Sequence, residues 1–178
     1  SMLLETDHPR FEEARDALAG FAEIVTSPEH YHTYRISPLS LWNAASAGLS
    51  ADSIVGSLRS LSRYPIPQNI EYDIREYISR YGRLKLVREG EELILECADA
   101  PLLEQLWADD RIKAYFKKKL DKKRTIIDAS QRGLLKQALI RKEFPVEDLA
   151  GYSDGESLAI HARERTLGGE PFSFREYQ

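Results

Sequence analysis

At 178 residues the chain can bury a real core, as one large domain or two small ones. Its single cysteine, Cys97, excludes an internal disulfide and any multi-cysteine metal site, and no apolar run approaches the length of a membrane span. The net charge of −4 conceals a segregation: residues 111–142 carry 12 Lys/Arg against only Asp121 and Asp128, which leaves the remainder strongly acidic. Such a tract marks a nucleic-acid contact, an intramolecular contact or a partner site, and charge alone does not choose among them.

In chain order, a first helix is predicted over residues 9–25. Asp7 would cap it, Glu12 and Glu13 suit its positive end, and Phe11, Ala14, Leu18, Phe21 and Val25 form an apolar stripe. Residues 31–36 read as a strand that runs directly into Ser37-Pro38, a capped helix start. Leu39, Trp42 and Ala45 then recur at helical spacing up to Gly48, with Leu39 and Trp42 expected in the core. Ser50 opens a third helix with Ile54, Leu58 and Leu61 inward. A fourth spans residues 68–81 with Ile70, Ile74, Tyr77, Ile78 and Tyr81 inward, closed by Gly82. Residues 84–87 and 92–95 alternate in polarity and read as a hairpin across Arg88-Glu89-Gly90-Glu91. That element order is the order of a winged helix.

Residues 101–119 read as helical, with Leu102, Leu103, Leu106 and Trp107 apolar. The tract from Lys117 to Arg124 then interrupts the pattern and is taken as the domain boundary. Residues 125–127 read as a strand, and Asp128-Ala129-Ser130-Gln131 as a capping box for a helix carrying Leu134, Leu135, Ala138 and Leu139. Phe144-Pro145 ends that helix, residues 157–160 return as a strand, and Gly168-Gly169 reads as a linker. The expected class is α+β: a helical, winged-helix-like domain over 1–110, a small α/β module over 111–163, and a linker leading onward over 164–178.

Lys113, Lys117, Lys118, Lys119, Lys122, Lys123 and Arg124 are candidate phosphate contacts, as are Arg132 and Lys136, four residues apart on one helix face. The same residues would serve equally as a solvated boundary or as a strip paired with the acidic first domain. Tyr115 and Phe116 suit base stacking, yet burial against Leu120 and Trp107 is the better reading. His30 and His32 with Glu29 fall short of a metal site, and strand-edge hydrogen bonding fits them better. Cys97 reads as a small buried hydrophobe. Asp148, Asp154 and Glu156 sit among Pro145, Gly151 and Gly155, which mark turns rather than a nuclease metal loop. No serine lies in a nucleophile-elbow sequence, so neither catalytic nor metal-ligating residues are expected.

Three stretches carry a resemblance to a known family. They are residues 32–44 (His-Thr-Tyr-Arg-Ile-Ser-Pro-Leu-Ser-Leu-Trp-Asn-Ala) with 81–87 downstream; residues 135–140 leading to Phe144-Pro145-Val146-Glu147-Asp148-Leu149-Ala150-Gly151-Tyr152; and the terminal Phe172-Ser173-Phe174-Arg175-Glu176-Tyr177-Gln178. Together they resemble the N-terminal region of an XPB-type (xeroderma pigmentosum group B) superfamily 2 DNA repair helicase, bacterial or archaeal. The resemblance implies a protein-docking domain over 1–110 and a damage-recognition-like module over 111–163. It further implies a start of the first motor domain, in which Phe172 and Arg175 shape an adenine pocket and Gln178 reads the base. ATP and magnesium would serve the parent helicase. This stretch has no glycine followed by lysine and no Asp-Glu pair, so no cofactor and no ATPase activity are expected of it alone. The implied partners are DNA through its backbone, the motor domains in cis and a repair protein such as a nuclease. No membrane is involved, and the implied location is cytoplasmic and nucleoid-associated. Two other readings stand beside it: a purely protein-docking region in which the lysine tract is a hinge, and a winged-helix transcription regulator. The latter needs a basic recognition helix, whereas the candidate over residues 50–61 carries Arg59 against Asp52.

Overall fold

The computed structural model describes residues 1–151. The expected strand at 157–160, Asp154, Glu156, Phe172, Arg175 and Gln178 lie outside them. The described part opens with strand β1 (Met2–Glu5), helix α1 (Phe11–Ala19), strands β2 (Glu23–Thr26) and β3 (Tyr31–Arg35), and helices α2 (Pro38–Ser46), α3 (Ala51–Leu61) and α4 (Gln68–Arg80). The three strands form an antiparallel sheet in the order β1-β3-β2. The predicted first helix is therefore too long. Gly20 caps α1, and the β-branched Ile24-Val25-Thr26 pairs with β3 instead of continuing the helix, which leaves Val25 half exposed. The start of α1 carries no side-chain cap, so Asp7 does not have the role expected of it.

The corner between β3 and α2 forms as its sequence dictates. Ser37 Oγ accepts from the Ser40 N–H at 3.1 Å while Ser40 Oγ accepts from the Ser37 N–H at 3.0 Å, and Pro38 occupies the first turn. Leu39 is exposed, contrary to the core role expected of it, because the buried side of α2 is Ser40, Leu41, Trp42 and Ala44. Trp42 Nε1 donates to the Tyr77 carbonyl at 2.9 Å, tying α2 to α4. Leu18, Phe21, Tyr34, Leu41, Ile54, Val55, Leu58 and Ile74 complete this core.

Strands β4 (Leu84–Glu89) and β5 (Glu92–Cys97) form the expected hairpin, turning at Gly90 with φ 59°. They are followed by helices α5 (Ala100–Ala108) and α6 (Asp110–Lys113), strands β6 (Phe116–Lys119) and β7 (Arg124–Ile127), a single 3-10 turn at Ala129–Gln131, helix α7 (Arg132–Arg141) and strand β8 (Val146–Asp148). The second sheet has the order β6-β7-β5-β4-β8, with β8 parallel to β4 and the other pairs antiparallel. The β4–β5 hairpin is thus the middle of a sheet, paired on both sides and buried through Leu84, Leu86, Leu93 and Leu95, rather than a projecting wing. Strands from both sides of residue 110 share this sheet. The two hydrophobic clusters divide near Gly82, where φ is 81°, and not at the lysine tract.

One further expectation shifts. The helix predicted through residue 119 ends at Lys113, since Phe116–Lys119 joins the sheet edge. Among the described residues a β-α-β unit is formed with Val146–Asp148: β7 and β8 run in the same direction in one sheet with α7 between them. Leu135 and Leu139 pin α7 to that sheet, whereas Leu134 is exposed. Seven α-helices and two sheets among the described residues make the class α+β.

Candidate nucleic-acid interface

The lysine tract becomes the β6–β7 hairpin, so its charges alternate along an edge strand and gather at the turn. Phe116 packs on Trp107 with ring centroids 5.3 Å apart, and Tyr115 joins the same cluster, so both aromatics serve the core as expected, while Leu120, the other partner expected of them, is exposed. Thr125 is fully buried and its hydroxyl donates to the Lys118 carbonyl at 3.0 Å, stitching the hairpin across its strands. The turn is closed by Asp121, whose carboxylate accepts from the N–H groups of Lys123 (2.8 Å) and Arg124 (3.0 Å) and from Arg124 Nε (2.7 Å). These bonds, the Lys123 amide first, hold the Asp121 carboxyl below its ordinary value.

The predicted phosphate contacts divide into engaged and available. Lys119 pairs with Glu104 on α5. Arg124 bridges Asp121 and Glu89 at 2.7 and 3.2 Å, and Lys117 lies 3.8 Å from Asp128. Lys123 Nζ donates to the Ala98 carbonyl at 2.9 Å, which leaves its charge unopposed by a carboxylate at that contact. Among the described residues, no carboxylate lies within ion-pair distance of Lys113, Lys118 or Lys122, and all three are exposed.

Arg132 and Lys136 do share a face of α7, but that face is turned onto β8. Arg132 Nε and Lys136 Nζ each donate to Asp148 at 2.9 Å, and Arg132 Nη1 donates to the Gly151 carbonyl at 2.6 Å. Asp148 is largely buried. Its burial alone would raise the carboxyl pKa, yet the bonds from Arg132 and Lys136 outweigh this and the net shift is downward. The geometry makes this clasp an internal brace rather than part of the hairpin surface.

A family model described as "Helicase conserved C-terminal domain" matches residues 1–121. The whole chain aligns at 41% identity over 179 residues with "DNA 3'-5' helicase XPB" of Kineococcus radiotolerans, and at 42% with the protein of the same name from Mycobacterium tuberculosis. The chain belongs to this helicase family. Its XPB-type character extends to eukaryotes: 62% of the chain aligns at 35% identity with 13% of the Saccharomyces cerevisiae "General transcription and DNA repair factor IIH helicase/translocase subunit XPB/SSL2". The chain spans about a third of the length of the bacterial relatives, 31% and 32% respectively.

In this XPB-type segment the remaining candidates fall into place around the core. Cys97 is buried, and that burial, with Asp99 adding to it, pushes the thiol up to about 12. His30 lies 3.7 Å from Asp7. His32 packs edge-on against Phe11 at 5.4 Å with its Nδ1 buried and without a partner, so the strand-edge hydrogen bond expected of it does not form. Among the described residues no group of three His, Cys, Asp or Glu is placed to hold a metal, and no helix is long and apolar enough to cross a membrane. Sequence reasoning missed Asp121 and Asp148. An aspartate opening a Leu-Asp-Lys-Lys turn is a local signal that points to the first. The second needs partners 12 and 16 residues away, which no local pattern reveals.

Proposed function

We propose that the chain is a non-catalytic accessory region of an ATP-dependent 3'-5' DNA helicase of nucleotide excision repair, assisting DNA engagement and partner docking. The observation that carries this reading is the β6–β7 hairpin, where Lys118 and Lys122 stand exposed without carboxylate partners among the described residues, as does Lys113 at the end of α6. The bacterial relatives named as XPB helicases support it. The affinity is backbone-mediated and weak, as befits a handful of ammonium groups. In the parent protein ATP and magnesium act in motor domains joined in cis, with Phe172, Arg175 and Gln178 contributing to the adenine pocket. On this reading the segment lies N-terminal to the motor, in a cytoplasmic, nucleoid-associated protein. A repair protein such as a nuclease is the further partner. The winged-helix comparison then rests on α2 to α4 alone, a docking unit rather than a DNA reader, since Arg59 of α3 is tied to Glu71 at 2.8 Å.

Titration of labelled duplex and forked DNA against the 178-residue chain tests the reading. Binding at low salt that weakens steeply at moderate salt is expected; no binding at low salt removes the DNA role. A specific observation favours a second reading, pure protein docking. Lys117, Lys119 and Arg124 are held by the protein's own carboxylates, as a structural hinge would require. Under that reading, Lys118→Glu with Lys122→Glu leaves DNA loading of the full helicase unchanged.

A further inference from the structure

The two hydrophobic clusters form two lobes joined by a narrow neck. Within the described residues the chain passes from one to the other once, at Tyr81-Gly82-Arg83, where Gly82 takes φ 81°. One side-chain bond among the described residues crosses beside it: Arg80 Nη1, at the end of α4, donates to Glu143 Oε2, just past α7, at 2.6 Å. The other ion pairs each lie within one lobe. Elsewhere the lobes face each other across open space. A cleft of about 500 Å³ lies between Leu39, Trp42 and Asn43 of α2 and Ile140, Val146 and Leu149 of the second lobe, and Leu39, Ile140 and Leu149 are exposed. A second, of about 300 Å³, lies between Arg80 of α4 and Gln105 and Phe144.

Glu143 is the one non-glycine residue with a positive φ, 60°, among the described residues. It stands where α7 ends in a left-handed turn: the Phe144 N–H donates to the Leu139 carbonyl at 3.0 Å and the Glu143 N–H to the Ile140 carbonyl at 2.9 Å. That position ordinarily takes glycine, because a Cβ is strained there. Capping explains the turn but not the glutamate, whose carboxylate is what reaches Arg80. A strained backbone kept at such a residue marks a constraint beyond local folding. Arg80 is held ready for it. Glu76, one turn earlier on α4, accepts from Arg80 Nη2 and Nε at 3.3 and 3.4 Å, and the guanidinium lies over the Tyr77 ring, 5.2 Å from its centroid. Arg80 is thus a fixed arm of α4, with Nη1 directed across the neck.

We propose that Arg80 and Glu143 form a latch that sets the angle between the two lobes, with Gly82 as the hinge. Latched, the lobe of α2 to α4 and the sheet lobe with its β6–β7 hairpin move as one body. Unlatched, they turn about Gly82, because the clefts leave no packed core across the neck to oppose the motion. The Arg80 and Glu143 side chains are 25% and 49% exposed, so water and salt reach the pair and the latch opens readily. The inference stands apart from the DNA-engaging reading, and neither depends on the other.

Spin labels on Ala19→Cys and Glu91→Cys, exposed positions on opposite lobes, report the angle as a distance distribution in the 178-residue chain, while the buried Cys97 stays unlabelled in the folded protein. A single narrow distribution is expected at low salt, broadening as the salt concentration rises. Glu143→Ala keeps a Cβ in the left-handed turn and removes the carboxylate, and is expected to give a broad distribution at every salt concentration. Arg80→Ala is expected to do the same. Glu143→Gly should be equally broad with a melting temperature that does not fall, since glycine suits the turn, which separates loss of the latch from loss of folding. Distributions for the three variants as narrow as that of the labelled parent chain overturn the latch, as does a parent distribution that does not respond to salt.

Discussion

Asp148 shows how one side chain settles the fate of two others. Its carboxylate, with only 12% of the side chain exposed, holds Arg132 and Lys136 and so ties α7 to β8. Asp148→Ala removes the acid that Arg132 and Lys136 share and unties α7 from β8, which costs about 2–4 kcal/mol by analogy with broken buried pairs. A fall in the urea midpoint without a change in slope is the expected signature. The pH dependence follows in sign from the lowered carboxyl. The stabilisation is fully present above the unfolded value of about 3.9 and is lost as pH falls through the lower folded value. The stability gap between the unaltered chain and Asp148→Asn should therefore be constant at neutral pH and narrow below about pH 4. A gap that widens on acidification contradicts the clasp. Cys97 offers a second check at this scale. With its thiol raised to about 12 and buried under the sheet, it should resist alkylation at pH 8 until the protein unfolds. Labelling that proceeds at the rate of a free thiol in native buffer would show the packing of β5 to be wrong.

Elements whose signals are local were legible in the sequence, and those that depend on distant partners were not. The start of α2 carries its own instructions, Ser37-Pro38 with a reciprocal serine three residues on, and the structure forms them all. The start of α3 at Ser50 and the Gly90 turn of the β4–β5 hairpin are of the same kind. Strand β1 carries no periodicity of its own beyond four residues, and it exists because β3 offers it an edge. Strand β2 looked like the end of a helix because Phe21 and Val25 keep helical spacing with Leu18. Only pairing with Glu23 opposite Arg35 and Ile24 opposite Tyr34 makes it extended. The candidate site was half legible for the same reason. The lysines announced a charged surface, but which of them face inward is decided by Glu89, Glu104 and Asp128 on other elements. The corner is also where an element-scale test is cleanest. Ser37→Ala removes the cap on α2 and the 2.7 Å bond that the Ser37 hydroxyl donates to Glu23, and should cost about 1 kcal/mol. In a protein of this size that corresponds to a fall in Tm of about 2–4 °C. An unchanged melting temperature would mean that the β3–α2 corner is held by packing of Leu41 and Trp42 alone.

Across the whole molecule, the charge segregation in the sequence is only partly a surface property. The basic tract lies beside the acidic β4–β5 hairpin and α5, so Lys119 and Arg124 neutralise carboxylates of the same sheet layer while Lys118 and Lys122 face outward. A tract that reads as a single positive block therefore contains two populations with separable roles. Charge reversal distinguishes them if stability and binding are measured on the same variants. Lys119→Glu sets like charges against Glu104, and Arg124→Glu does so against both Asp121 and Glu89. Each should lower the melting temperature, though modestly, because these pairs are at least one-third exposed on one or both sides and water screens them. Lys118→Glu with Lys122→Glu removes no ion pair among the described residues, so the melting temperature should hold. DNA binding should respond in the opposite order. Each lost phosphate contact removes nearly one counterion from the salt slope, so the Lys118/Lys122 variant should bind duplex with a slope shallower by about 2 and much lower affinity at low salt. If the Lys119 and Arg124 reversals instead abolish binding without lowering stability, the outward population has been misassigned and the edge of β6, rather than the hairpin tip, is the surface that meets DNA.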